Sequence, residues 1–149
     1  MNRFTGGCRC GDIRIVASGR PCRVGICHCL DCRKHHGALF HASAIFPQDA
    51  VTIEGEARDY EGRFFCPRCG SPVFGRSGDE IEVNLGSLDA PDQLIPTYEL
   101  WTVRREAWLP PFPLESATSA IGFPTAAPRN SPRCDAAPRA PASPGLSVR

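Results

Sequence analysis

Polar and apolar residues alternate in short runs along most of this chain, and helical periodicity is scarce. Ile13 and Ile15 stand against Asp12 and Arg14, and Ile81, Val83 and Leu85 against Glu80, Glu82 and Asn84. A period of two is what a half-buried antiparallel strand shows. Further strands are expected at residues 24–26, at the apolar run 39–46 interrupted by His41, at 63–65, at 73–74 and at 97–103, which carries Trp101. Residues 51–54 and 57–60 read as two short antiparallel strands joined across Gly55. One helical turn is expected at Arg33-Lys34-His35-His36, closed by Gly37. Residues 108–112 read as an irregular arm whose aromatic residues pack across the body. The expected class is mainly β, with little helix and no internal repeat.

The pattern fails after Phe123. Residues 124–149 hold six Pro and six Ala and no hydrophobic period. Such a segment buries too little apolar surface to offset its ordering entropy, so a disordered Pro/Ala/Arg-rich tail is expected there, after one domain at 1–123. The tail carries four Arg and one Asp, leaving the domain thirteen basic and fifteen acidic side chains. Such an acidic surface disfavours nucleic acid as a partner. No apolar run is long enough to span a membrane, and none of signal-peptide length follows Met1, so a cytoplasmic protein is expected.

Nine cysteines in a reducing compartment read as metal ligands before they read as disulfides. Three fall within Cys27-His28-Cys29-Leu30-Asp31-Cys32. Thiolates so crowded repel unless a cation sits among them, and zinc suits soft sulfur donors. Gly6-Gly7-Cys8-Arg9-Cys10-Gly11 is a glycine-bracketed pair, and Cys66-Pro67-Arg68-Cys69-Gly70 has the form of a zinc knuckle. A redox reading of the knuckle needs Cys66 at a helix N-terminus, and Gly70-Ser71-Pro72 is a poor helix start. Cys8, Cys10, Cys66 and Cys69 together complete one tetrahedral all-thiolate site. Closing the intervening loop costs entropy that grows only as about (3/2)RT ln n.

The triple then lacks a fourth ligand. Candidates are Cys22, His28, His35, His41, Asp31, water or an incoming thiol. Cys22 reads as a small hydrophobe, His35 and His36 as solvated helix residues, and His41 as an interior histidine, a hydrogen-bond partner of the site or a ligand. A thiol entering the vacant place would lose its proton and become a nucleophile beside any aldehyde in the pocket. Zinc with three thiolates should favour such sulfur chemistry over hydrolysis.

The order G-G-C-x-C-G, C-H-C-x-x-C-R-K and C-P-x-C-G, over about residues 4–112, resembles the glutathione-dependent formaldehyde-activating enzyme family, which also includes centromere protein V. The resemblance implies a zinc-bearing fold of antiparallel β-sheets, of β-tent type, and two zinc ions per chain. Cys8, Cys10, Cys66 and Cys69 would hold the structural ion, and Cys27, Cys29 and Cys32 the catalytic one. It implies a carbon–sulfur lyase with a glutathione-like thiol and a small aldehyde, formaldehyde, as partners. Arg33, Lys34, Arg63 and Arg68 are candidates to pair with the carboxylates of glutathione. The competing reading is a non-catalytic zinc-stabilised binding module. A deaminase is disfavoured because its H-x-E and P-C-x-x-C signature is absent.

Overall fold

The computed structural model describes residues 2–118, so the expected tail at 124–149 and Cys134 lie outside the described residues. Two sheets face each other. The smaller is antiparallel, β1 (Arg3–Gly7), β2 (Arg14–Ser18) and β5 (Val51–Glu54), in the order β1-β2-β5. The larger contains β3 (Arg23–Cys27), β4 (His41–Pro47), β6 (Arg58–Tyr60), β7 (Arg63–Phe65), β8 (Pro72–Ser77), β9 (Glu80–Asn84), β10 (Tyr98–Leu100) and β11 (Ser116–Thr118). Its order is β11-β10-β3-β4-β9-β8-β7-β6, antiparallel except where β10 runs parallel to β3 and to β11. Among the described residues a single α-helix, α1 (Leu30–His36), interrupts the β structure, and no helix is long and apolar enough to cross a membrane.

The apolar positions of the alternating strands meet between the sheets. Phe4, Ile13, Ile15 and Ala17 come from the smaller sheet and its β1–β2 connection, and Val24, Ala44, Phe46, Val73, Phe74, Ile81 and Val83 from the larger. Phe46 is fully buried, with its ring centroid 5.8 Å from that of Phe4. Removing such side chains from water is the main source of stability, at about 25 cal/mol per Å² of apolar surface.

The other face of the larger sheet is not a plain solvent face. Arg23, Gly25 and Cys27 of β3, His41, Ser43 and Ile45 of β4, Glu80, Glu82 and Asn84 of β9, and Tyr98 of β10 all line one cavity. Alternation along β4 and β9 thus sends one set of residues to the core and the other to the cavity floor.

Two expectations about elements are corrected. Residues 51–54 and 57–60 do not form a hairpin: β5 pairs with β2 in the smaller sheet, and β6 pairs with β7 in the larger. The chain changes sheets at Gly55, which has φ +93° and packs so closely that an added Cβ would lie 2.0 Å from the Asp12 carbonyl oxygen. The strand expected over 97–103 is only Tyr98–Leu100. It ends at Trp101, which adopts φ +57° and opens a 3-10 turn over Thr102–Arg104.

Replacing Gly55 by alanine should cost about 1–3 kcal/mol from backbone strain alone, with the clash against Asp12 added. The expected readout is a lower urea midpoint of the metal-loaded protein; an unchanged midpoint would contradict this placement of the crossing.

Candidate metal centres and active-site cavity

Seven free thiols converge in two groups. The sulfurs of Cys8, Cys10, Cys66 and Cys69 lie within 4.8 Å of one another, as do those of Cys27, Cys29 and Cys32.

The four-thiol group is built from two turns that grip each other. In the first, the Cys8 amide donates to the Ile13 carbonyl at 3.0 Å, and the Ile13 amide donates to Cys8 Sγ at 3.2 Å. In the second, the Gly70 amide donates to the Cys66 carbonyl at 2.8 Å, with Gly70 at φ +74°, and Ser71 Oγ lies 3.2 Å from Cys69 Sγ. Arg68 reaches Asp12 at 3.0 Å, and the Arg9 amide donates to Ser71 Oγ at 3.2 Å, so each turn holds the other. No helix follows Cys66; the chain enters β8 at Pro72 instead, which removes the geometry a redox C-P-x-C would need.

Sulfur spacing tests the fit to a metal. Tetrahedral ligands at a Zn–S distance of about 2.3 Å lie about 3.8 Å apart, whereas disulfide sulfurs lie about 2.05 Å apart. Cys8 and Cys10 are separated by 3.5 Å and Cys10 and Cys66 by 3.6 Å, close to the metal value. Protonation points the same way. Although the Asp12 amide favours its thiolate, burial and the neighbouring Cys8, Cys69 and Cys66 push Cys10 up to about 12. Hydrogen bonds from Ser71 draw Cys69 down to about 5. The cluster tolerates some negative charge, but full ionisation calls for a cation.

The three-thiol group sits where β3 ends and α1 begins. Cys27 closes the strand, Cys29 caps the helix with its sulfur 3.3 Å from the Cys32 amide, and Cys32 lies in the first turn. Gly37, left-handed at φ +58°, ends the helix. The Cys32 thiol draws Cys27 down to about 6 against the effect of burial, while Cys32 is driven far up by Cys27 and burial, and Cys29 is raised by burial. These donors also fit a soft divalent ion.

Among the described residues no fourth protein ligand joins the three. Cys22, Asp31, His35 and His41 stay outside the group, and His28 points into the interior, where its Nε2 lies 2.6 Å from Glu99 Oε1. The thiols instead border the cavity, which measures about 540 Å³.

His41 lies opposite Cys27 across the β3–β4 ladder. Its Nε2 is 3.1 Å from Glu82 Oε1, and Ser43 Oγ donates to the same oxygen at 2.7 Å. These bonds overcome the cost of burial and hold the Glu82 carboxyl down at about 2. His36 is not a solvated helix residue: it stacks on His41 with centroids 3.9 Å apart, and burial and then the charge of His41 lower it to about 3. Of the four cations expected to meet carboxylates, only Arg63 lines the cavity. Arg33 is taken by Glu106 and the Arg104 carbonyl, and Arg68 by Asp12. Arg76 and Arg104 line the cavity in their place, and among the described residues no acidic group pairs with Arg63, Arg76 or Arg104.

The sequence profile of the glutathione-dependent formaldehyde-activating enzyme family matches residues 3–104, which contain both thiol groups. The chain belongs to this family. Among curated proteins none matches it in sequence. A crystal structure of a Rhodobacter sphaeroides protein is similar over 60% of this chain and 91% of its own, at 19% identity and a TM-score of 0.48.

Sequence reasoning found the thiols of this family member but missed Ser43, Glu82, Arg76, Arg104 and Tyr98 as cavity residues. Glu82 lies on the polar side of an alternating strand, and it is the pairing of that strand with the one containing His41, seen only in the structure, that turns both toward the cavity.

Because folded His36 resists protonation, it should stay neutral at pH 5, where a free histidine is mostly charged. The unfolded chain then binds more protons, so this residue's contribution to stability is complete above about pH 6.5 and is lost as pH falls toward about 3. An NMR titration of the His36 Cε1–H resonance should be flat from pH 8 to pH 5; a midpoint near 6.5 would contradict its burial.

Proposed function

We propose that this chain is a zinc-dependent carbon–sulfur lyase of the S-(hydroxymethyl)glutathione synthase type, adding glutathione or a related thiol to formaldehyde or another small aldehyde. In this reading it carries two zinc ions. One is structural, on Cys8, Cys10, Cys66 and Cys69; the other is catalytic, on Cys27, Cys29 and Cys32. The observation that carries the proposal is the contrast between the groups: four sulfurs close one, while three sulfurs on the wall of an open cavity leave the other incomplete. Structural zinc sites are closed by four protein ligands, and catalytic ones keep a place for substrate.

The reaction joins the thiol sulfur to the aldehyde carbon while the carbonyl π-bond breaks, and the thiol proton ends on the new hydroxyl oxygen. A zinc ion in the three-thiol group would supply positive charge that favours the thiolate of the incoming substrate. The chain's own residues do the rest. Arg63, Arg76 and Arg104 offer unpaired cations to the substrate carboxylates at the cavity wall. His41, oriented by Glu82 and Ser43, stands where a proton leaving sulfur can be held and returned to oxygen. Tyr98 and Trp101 add aromatic surface to the cavity wall.

Cys29→Ser should abolish glutathione-dependent formaldehyde consumption above the uncatalysed rate while leaving the fold intact by circular dichroism. Cys66→Ser should unfold the domain, since structural zinc contributes on the order of 10 kcal/mol in small domains. Retention of full turnover by Cys29→Ser would refute the catalytic assignment and leave a zinc-stabilised binding module. Neutralising Arg63 as Arg63→Gln should raise KM for glutathione about tenfold, as loss of one charged hydrogen bond would, and leave KM for the uncharged thiol 2-mercaptoethanol unchanged. Equal effects on both thiols would remove Arg63 from carboxylate recognition.

A further inference from the structure

The residue between Cys27 and Cys29 is fastened through both its side chain and its main chain. His28 and Glu99 are both fully buried, joined through Nε2 and Oε1 at 2.6 Å. Arg105 donates to the same Glu99 oxygen at 3.1 Å. The His28 amide donates to the Leu100 carbonyl at 3.0 Å, so side chain and main chain are both tied to β10. Phe40 and Phe112 border the imidazole, with centroids 5.9 and 6.4 Å away.

This arrangement is an expensive way to fill a core. Buried ionisable groups lose hydration, and apolar side chains of similar volume commonly stabilise as well or better. Two atoms, His28 Nδ1 and Glu99 Oε2, remain buried with no protein partner, which adds to the cost. Stability therefore does not explain it, whereas direction does. Successive side chains of an extended segment point to opposite sides. Fixing His28 at two points toward the interior turns its neighbours Cys27 and Cys29 toward the cavity. The Glu99–Arg105 pair also closes the base of the segment that brings Leu100, Trp101 and Arg104 to the cavity wall.

We propose that Arg105, Glu99 and His28 are positioning residues that aim the sulfurs of Cys27 and Cys29 at the metal of the three-thiol group. This rests on the reading of that group as a metal site. Outer groups that orient metal ligands typically set affinity by about 10–100-fold.

The test is metal retention. Zinc content is measured on the full chain, followed by titration with a chromogenic chelator, for wild type, Glu99→Gln, Arg105→Gln and Arg105→Lys. Wild type should hold two zinc ions. Glu99→Gln should release one of them at a chelator concentration at least tenfold lower, with the second released as in wild type. Arg105→Gln should shift the same ion by less, and Arg105→Lys, which keeps the cation, should restore retention. Arg105 is partly exposed, so its pair of variants decides the matter if Glu99→Gln fails to fold. Variants that match wild type, or that lose both ions together, would overturn the positioning role alone. A wild-type chain holding a single zinc would overturn the three-thiol metal site, and this proposal with it.

Discussion

Thiolates held within 4.8 Å of one another repel, and what keeps them together governs the layout of this molecule. The fold brings Cys8 and Cys10 to Cys66 and Cys69 across more than fifty residues of chain, through paired turns whose amides and side chains already interlock. A cation at this point would join the end of β1 to the connection between β7 and β8, at Cys8 and Cys66, which themselves belong to the buried core. At the other group the same repulsion is met by uneven protonation: Cys27 ionises readily while Cys29 and Cys32 hold their protons. A site of that kind is poised to exchange protons for a metal.

The larger sheet makes the second group useful. Its strands carry apolar residues toward the smaller sheet and Cys27, His41, Ser43 and Glu82 toward the cavity, so two-residue alternation separates a dry core from a polar floor. Neither face is free to drift, because a register slip of one residue would exchange them. The position of His41 opposite Cys27 is a consequence of that register.

How much of this was legible follows from the range of each interaction. The cysteines announce themselves through spacing alone, because ligands on one turn must be near neighbours and glycine or proline must shape the turn. The helix cap at Gly37 and the alternation through β9 are equally local. Glu82 was hidden because an alternating polar residue looks the same whether it faces water or a cavity. The supposed hairpin across Gly55 failed because a glycine between two strand-like runs is also what a crossing between sheets requires. Sequence pattern does not reveal that Asp12 lies against that glycine. His28, a candidate ligand by its place between Cys27 and Cys29, has Glu99 as its partner, 71 residues away.

Charge connects these parts into a site. A divalent ion among three thiolates would leave one net negative charge, and Asp31, Glu61, Glu80 and Glu82 also line the cavity, yet among the described residues Arg63, Arg76 and Arg104 on the same wall have no acidic partner. Glu82 is turned toward His41 and Ser43, and Glu80 toward Arg23 at 2.6 Å, so neither is directed at these arginines. Cations left unpaired around an electron-rich centre favour entry of a negatively charged molecule that the centre alone would repel. An uncharged aldehyde does not need them. On the proposed reading the thiol carries carboxylates and would need them, which would account for a cavity that combines sulfur donors with arginines.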